Sequence, residues 1–104
     1  MSRVQDDGNF EAGRAPTAQL ERAREAARAF CRQFKFPQAD IDRLDGQPIQ
    51  QPLVIDRDGA RVEVFRWLGH GRGAHYVQVE LGAESGDLTV YGAHRDQEFG
   101  PWKP

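Results

Sequence analysis

The chain has 104 residues, which suffice for one domain with a modest core but not for two. Its formal net charge of −2, from 14 basic and 16 acidic residues, argues against a general nucleic-acid binder, because such binding rests on clustered positive charge. The single cysteine, Cys31, excludes an internal disulfide and favours a reducing compartment, so we expect a cytoplasmic protein.

At the start of the chain, residues 1–15 are rich in glycine, aspartate and other polar residues, and they predict a flexible arm. The arm has no apolar core segment of the kind found in signal peptides, so we expect no signal peptide. No apolar run approaches the roughly 20 residues of a membrane span, so we expect no membrane partner. One folded domain is predicted at residues 16–95, followed by an irregular tail at 96–104.

The first predicted element is an amphipathic helix that opens at Pro16 and Thr17, since proline fits a first turn and threonine can cap it. Apolar residues then recur three or four apart and trace one helical face. They are Leu20, Ala23, Ala27, Phe30, Cys31 and Phe34. Pro37 ends the helix at about Lys35 or Phe36.

Beyond this helix, residues 38–44 predict one short helical turn with Ile41 and Leu44 facing inward. From residue 53 onward the hydrophobic period changes to two, which is typical of strands. The short connections favour sequential antiparallel pairing. The predicted strands are residues 53–55, 61–68, 75–81 and 87–94. The expected fold class is therefore α+β, an N-terminal amphipathic helix packed on a four-stranded antiparallel β-meander.

Two hairpin registers follow from the turns. Asp58 and Gly59 form a strong hairpin signal, and a second turn is centred on Glu84 and Ser85. Both registers place apolar residues opposite apolar residues, which supports the meander. The predicted pairs are Leu53 with Val64, Ile55 with Val62, Val79 with Val90, and Leu81 with Leu88.

Alternation along the strands sorts the side chains into two faces. The first predicted face is aliphatic and is expected to pack on the helix; it holds Leu53, Ile55, Val62, Val64, Leu68, Val77, Val79, Leu81, Leu88 and Val90. The second holds Phe65, Trp67, Tyr76 and Tyr91, with Glu63, Gln78, Glu80 and Thr89 among them. Four aromatic rings are unusual on a solvent-facing sheet surface.

Two interpretations of the second face stay open. In one, the arm, the connector or the tail covers the rings, with Phe99 and Trp102 as candidates. In the other, the face is a contact surface for a protein partner or a second copy of the chain. The binding surface predicted by this second interpretation consists of Phe65, Trp67, Tyr76, Gln78, Glu80 and Tyr91.

The candidate chemistry centres on histidine and arginine. His75 is predicted opposite His94, at the same sheet end as His70. Imidazole clusters can bind zinc or nickel, but a structural role is favoured here and no metal or cofactor is predicted. Arg66 is assigned by alternation to the core face, where it either pairs with an acid or lines a pocket with His75 and His94. No serine or cysteine has the context of an activated nucleophile, so no catalytic residue is assigned.

The segments Tyr-Val-Gln-Val-Glu at 76–80 and Gly-Asp-Leu-Thr-Val-Tyr at 86–91 resemble the paired strands of PepSY domains. Those domains show a tyrosine-valine strand, a turn ending in glycine and a returning apolar strand. The order of a helix followed by a meander also resembles cystatin-like folds and small bacterial immunity proteins. In terms of sequence motifs, the resemblance covers about the last third of the chain. It implies a binding or inhibitory module and no catalytic residue.

These observations favour a small, non-enzymatic protein-binding module of the bacterial cytosol, in its most specific form an immunity-type inhibitor acting through the aromatic and acidic face. One alternative is a small-molecule-binding or enzymatic domain with a cleft between helix and sheet, near Arg66, His75 and His94. A second alternative is a homodimer formed through the same face.

Overall fold

The computed structural model describes residues 17–48, 53–69 and 73–104. The described elements are two helices and five strands, numbered in chain order. They are α1 (Thr17–Gln33), α2 (Gln38–Arg43), β1 (Leu53–Arg57), β2 (Ala60–Leu68), β3 (Tyr76–Gly82), β4 (Leu88–His94) and β5 (Gln97–Trp102). The predicted arm at residues 1–15 and the loop residue His70 lie outside the described part of the chain.

Helix α1 packs its apolar face on the sheet, as its residue spacing predicts. Ala23, Ala27, Phe30 and Cys31 have no exposed surface. The helix closes where Lys35 takes a positive φ of 59° and the Phe36 amide donates to the Cys31 carbonyl at 2.8 Å. This backbone reversal satisfies carbonyls that the end of a helix leaves without partners.

The short helix α2 follows Pro37, as predicted. Leu44, directly after α2, is fully buried, and Ile41 is partly buried against the core, so the predicted inward pair is confirmed. None of the described helices is both long and apolar enough to cross a membrane.

The strands form one antiparallel meander in the order β1-β2-β3-β4-β5. The α+β class is confirmed, but the prediction of four strands is wrong. Residues 97–102 form β5 where an irregular tail was expected. The chain reverses between β4 and β5 at Arg95 and Asp96, which both have positive φ (54° and 66°). Glycine and asparagine favour this turn type, so the Arg-Asp pair did not predict a turn between β4 and β5.

Both predicted hairpin registers are confirmed. Leu53 pairs with Val64 and Ile55 with Val62. At the other hairpin, the predicted pairs of β3 and β4 are also observed.

The predicted assignment of side chains to the two faces is wrong. The observed pairing of β2 with β3 is shifted by one residue from the pairing that the predicted faces require. Phe65 lies opposite Val79, and Trp67 lies opposite Val77. Directly opposed residues share a face, so both rings belong to the core face. Phe65 is 0% exposed and Trp67 is 2% exposed. A one-residue change of register moves every side chain of a strand to the other face.

The core therefore lies between α1, which packs over β3 and β4, and the sheet face that also carries Phe65 and Trp67. The side chains with the largest fully buried volumes are Phe30, Phe65, Leu44, Leu81, Val79, Val90 and Cys31. Gly92 on β4 is required beside Phe30, since a Cβ at this position would lie 2.6 Å from the Phe30 Cε2 atom. Phe34, Phe99 and Trp102 are partly buried against this cluster.

Candidate functional site

The sheet surface opposite α1, which we call the outer face, is the first candidate site. The register places Arg66 beside Gln78, and Gln78 beside Tyr91. The described side chains of the outer face include Ile55, Val62, Val64, Arg66, Leu68, Tyr76, Gln78, Glu80, Thr89 and Tyr91. Most are half-buried, whereas Arg66 is exposed, Leu68 is 46% exposed and Glu80 is buried.

A row of polar contacts crosses this face. Arg66 donates to the Gln78 Oε1 atom from Nε at 2.8 Å and from Nη2 at 2.5 Å. Gln78 in turn donates from Nε2 to a Glu80 carboxylate oxygen at 3.0 Å. The Arg66 guanidinium carbon also lies 5.0 Å from the centre of the Tyr76 ring. These contacts hold the guanidinium in a fixed position at the surface.

The outer face keeps four residues of the predicted binding surface and loses two. Tyr76, Gln78, Glu80 and Tyr91 share it, as expected. Phe65 and Trp67 are buried on the core face and offer no surface to a partner.

Arg66 also differs from its prediction. It was assigned to the core face, but it is exposed on the outer face. The predicted pocket of Arg66, His75 and His94 is therefore not assembled, because the two histidines follow the core-face positions of β3 and β4.

The second candidate site is a cluster of Asp40, His75 and His94, which we call the histidine–aspartate cluster. His75 immediately precedes β3, and His94 ends β4, so the antiparallel pairing brings them together as predicted. Their Nδ1 atoms are 3.2 Å apart. Asp40 comes from α2, and its Oδ2 atom lies 3.5 Å from the Nδ1 atom of His94. One possible ligand atom from each residue lies within 4.8 Å of the other two.

The surroundings of this cluster are tightly packed. A Cβ atom on Gly69 would lie 2.9 Å from the His75 Cβ and 3.1 Å from the Asp40 Oδ1. The Phe36 ring lies 5.9 Å from the His94 ring. Side-chain exposure is 12% for Asp40 and 25% for His94. The three side chains are therefore confined, with limited access to solvent.

Two buried polar atoms beside the cluster have no hydrogen-bond partner among the described residues, Asp40 Oδ2 and Arg43 Nε. Asp40 and Arg43 also line a cavity of about 10 Å³ beside Trp67 and Leu68. A space of this size holds roughly one water molecule. A buried polar atom that lacks a partner calls for an explanation, since such atoms are costly.

Asp40 was not among the predicted site residues. Its approach to the histidines depends on how α2 packs against the sheet, and no local pattern encodes that packing. His70, the third predicted histidine, lies outside the described residues.

Burial raises the pKa of two described groups, Cys31 and Glu63. Burial, with a smaller contribution from the negative charge of Asp40, raises the pKa of the Cys31 thiol to about 12. Burial also raises the pKa of Glu63, although Arg61 partly offsets this. Glu63 was predicted beside Tyr76 and Tyr91, but it lies opposite Leu81 on the core side of β2. A protonated, inaccessible thiol is not a nucleophile, so Cys31 adds no chemistry to either site.

A scan against models of protein families gave no match for this chain, and searches among curated proteins and solved structures gave none either. The resemblance to PepSY and cystatin-like domains stays a prediction.

Proposed function

We propose that this chain is a protein-binding module whose contact surface is the outer face, with Arg66 at its centre. The observation that carries the proposal is the environment of Arg66. Its described side-chain partners are the amide of Gln78 and the ring of Tyr76, and both are neutral. A guanidinium held in place without a carboxylate partner is prepared for a bidentate ion pair.

The chemistry of the partner follows from this arrangement. A protein that presents an aspartate or glutamate to Arg66 would complete the pair. Arginine and tyrosine are enriched among the residues that dominate binding energy. Tyr76 contacts Arg66, and Tyr91 lies beyond Gln78 on the same face. Half-buried Ile55, Val62 and Val64 provide adjoining apolar area. A polar anchor beside apolar surface is typical of specific interfaces.

In its most specific form, the proposal is an immunity-type inhibitor of the bacterial cytosol that covers an acidic site on a toxin. The free, buried thiol of Cys31 supports a reducing compartment. The arginine-rich basic complement, in which Lys35 and Lys103 are the only lysines, supports a bacterial source with a GC-rich genome.

The test compares the full chain with two charge reversals. Arg66→Glu inverts the proposed anchor, and Arg32→Glu is a matched control because Arg32 is exposed on α1. Each form is immobilised and exposed to a bacterial lysate, and the recovered protein is purified and titrated calorimetrically. We expect one partner that binds wild type and Arg32→Glu alike, with a dissociation constant raised at least about tenfold by Arg66→Glu.

Circular dichroism of each variant verifies that the fold is intact. The proposal fails if no recovered protein distinguishes Arg66→Glu from Arg32→Glu. It also fails if sedimentation velocity shows a concentration-dependent dimer that Arg66→Glu abolishes, since the outer face would then bind a second copy of the chain.

A further inference from the structure

We infer that Asp40, His75 and His94 form a binding site for a divalent transition-metal ion of the zinc type. The site lies at the end of the core face, where β3 begins and β4 ends, and it uses no residue of the outer face. It is therefore independent of the proposed protein-binding function.

The first argument is the spacing of the ligand atoms. Zinc binds imidazole nitrogen and carboxylate oxygen at about 2.0–2.2 Å, so tetrahedral geometry separates neighbouring ligand atoms by roughly 3.4 Å. The two Nδ1 atoms are 3.2 Å apart. The His94 Nδ1 and Asp40 Oδ2 atoms are 3.5 Å apart. Two separations already suit one ion, and the third, within 4.8 Å, needs a shift of at most about 1.4 Å by one side chain.

The second argument is the state of the Asp40 carboxylate. Its Oδ2 atom is buried and accepts no hydrogen bond from the described residues, although it faces the imidazole of His94. Burying an anionic oxygen without a hydrogen bond is costly. A divalent cation bound between this oxygen and the two Nδ1 atoms would remove that cost.

The third argument is the type of ligand. Two imidazoles and one carboxylate suit zinc and the neighbouring divalent ions from iron to copper. Three protein ligands leave a fourth tetrahedral position for water. The ion must compete with protons for the imidazole nitrogens, so binding should weaken as the pH falls.

The experiment uses the full chain after chelator treatment. Cobalt(II) serves as a visible probe, because its absorption bands become intense in a four-coordinate site, and zinc is then added to displace it. We expect one cobalt per chain, displacement by zinc, and a calorimetric stoichiometry of one. Zinc at ten times its dissociation constant should raise the melting temperature by roughly 5 °C or more.

Three variants locate the ion. Asp40→Asn and His94→Gln should each weaken binding at least about tenfold, as the loss of one ligand does. Asp42→Asn is the matched control on α2, since Asp42 is exposed and bonds to Gln38, and it should bind zinc like wild type.

The wild-type measurement decides the proposal even if a variant fails to fold. Absence of both the cobalt absorption bands and a calorimetric heat of zinc binding would overturn the site. The Asp40 Oδ2 atom would then be expected to accept a hydrogen bond from water in the small cavity beside Arg43. Equal weakening by Asp40→Asn and Asp42→Asn, or unchanged binding by His94→Gln, would also overturn it.

Discussion

Cys31 lies on the buried side of α1 with no exposed surface. Its thiol pKa is raised from 9.0 to about 12, first by burial and then by the nearby negative charge of Asp40, while Arg32 acts in the opposite direction. The thiol therefore stays protonated in the folded chain at neutral pH. In the unfolded chain it ionises much more readily.

This difference predicts a stability change in alkali. The folded-state pKa is the higher one, so the contribution of Cys31 is complete below pH 9 and is lost as the pH rises toward 12. The free energy of unfolding of wild type, minus that of Cys31→Ala, should be constant near neutral pH. Above pH 9 it should fall by at most about 1.4 kcal/mol per pH unit. Urea unfolding of both proteins from pH 7 to pH 11 measures this difference. If the free energies of unfolding of the two proteins changed in parallel with pH, the prediction would be contradicted.

The positions of Asp40 and Arg66 depend on contacts between residues far apart in the chain. The approach of His75 to His94 was predictable, because it follows from one hairpin register. Asp40 reaches the same point only through the packing of α2, and the face occupied by Arg66 depends on the pairing of β2 with β3. Neither is encoded by neighbours in the sequence.

At the scale of elements, β5 completes the cover of α1. The Trp102 ring lies 5.8 Å from the Phe30 ring and 6.4 Å from the Phe34 ring. Phe99 lies 5.1 Å from Phe34. The sequence identified Phe99 and Trp102 as candidates to cover the rings of the second predicted face. The rings they contact are instead Phe30 of α1 and Phe34 directly after it.

Because of these contacts, Trp102→Ala should lower the free energy of unfolding by about 2–4 kcal/mol, through lost burial and the void that remains. Leu68→Ala on β2 is the control, since Leu68 is 46% exposed and its truncation should cost less than about 1 kcal/mol. Urea denaturation followed by far-ultraviolet circular dichroism compares the two. Similar losses would mean that β5 contributes little to the core.

At the scale of the whole molecule, the segment after α2 joins the helical layer to the sheet. Arg24 of α1 donates from Nε to the Leu44 carbonyl at 2.6 Å and from Nη2 to the Gly46 carbonyl at 3.1 Å. Trp67 of β2 donates to the same Gly46 carbonyl at 3.0 Å. Arg24 is only 6% exposed, and it also pairs with Glu21. One carbonyl thus connects α1, the connector and β2.

Replacing this guanidinium should weaken the whole fold. Arg24→Lys keeps the charge but cannot donate from two separate nitrogens to the two carbonyls, so we expect a loss of about 2–3 kcal/mol in the free energy of unfolding. Arg28→Lys is the matched control, because its pairs with Glu25 and Asp45 are near the surface and should contribute less than about 1 kcal/mol. Thermal and urea unfolding of both variants check the difference, and equal effects would refute it.

The sequence by itself determined the local structure. The spacing of apolar residues established α1 and the turn at α2, and Asp58 with Gly59 established the first hairpin. The turn centred on Glu84 and Ser85, together with alternation, established the register of β3 with β4. Alternation also placed Tyr76, Gln78, Glu80 and Tyr91 on a common face, since that register alone relates them. Each of these features is encoded within about 20 residues, where turn chemistry and periodicity act directly.

Only the tertiary structure decided which side of β2 faces the helix. The glycine-rich connection from β2 to β3 allows either arrangement, and one residue of difference exchanges the faces. Burying Phe65 and Trp67 removes more apolar area from water than burying valines would. That choice brought Arg66 to the outer face. The packing of α2 then placed Asp40 beside the two histidines, and both candidate sites depend on these long-range contacts.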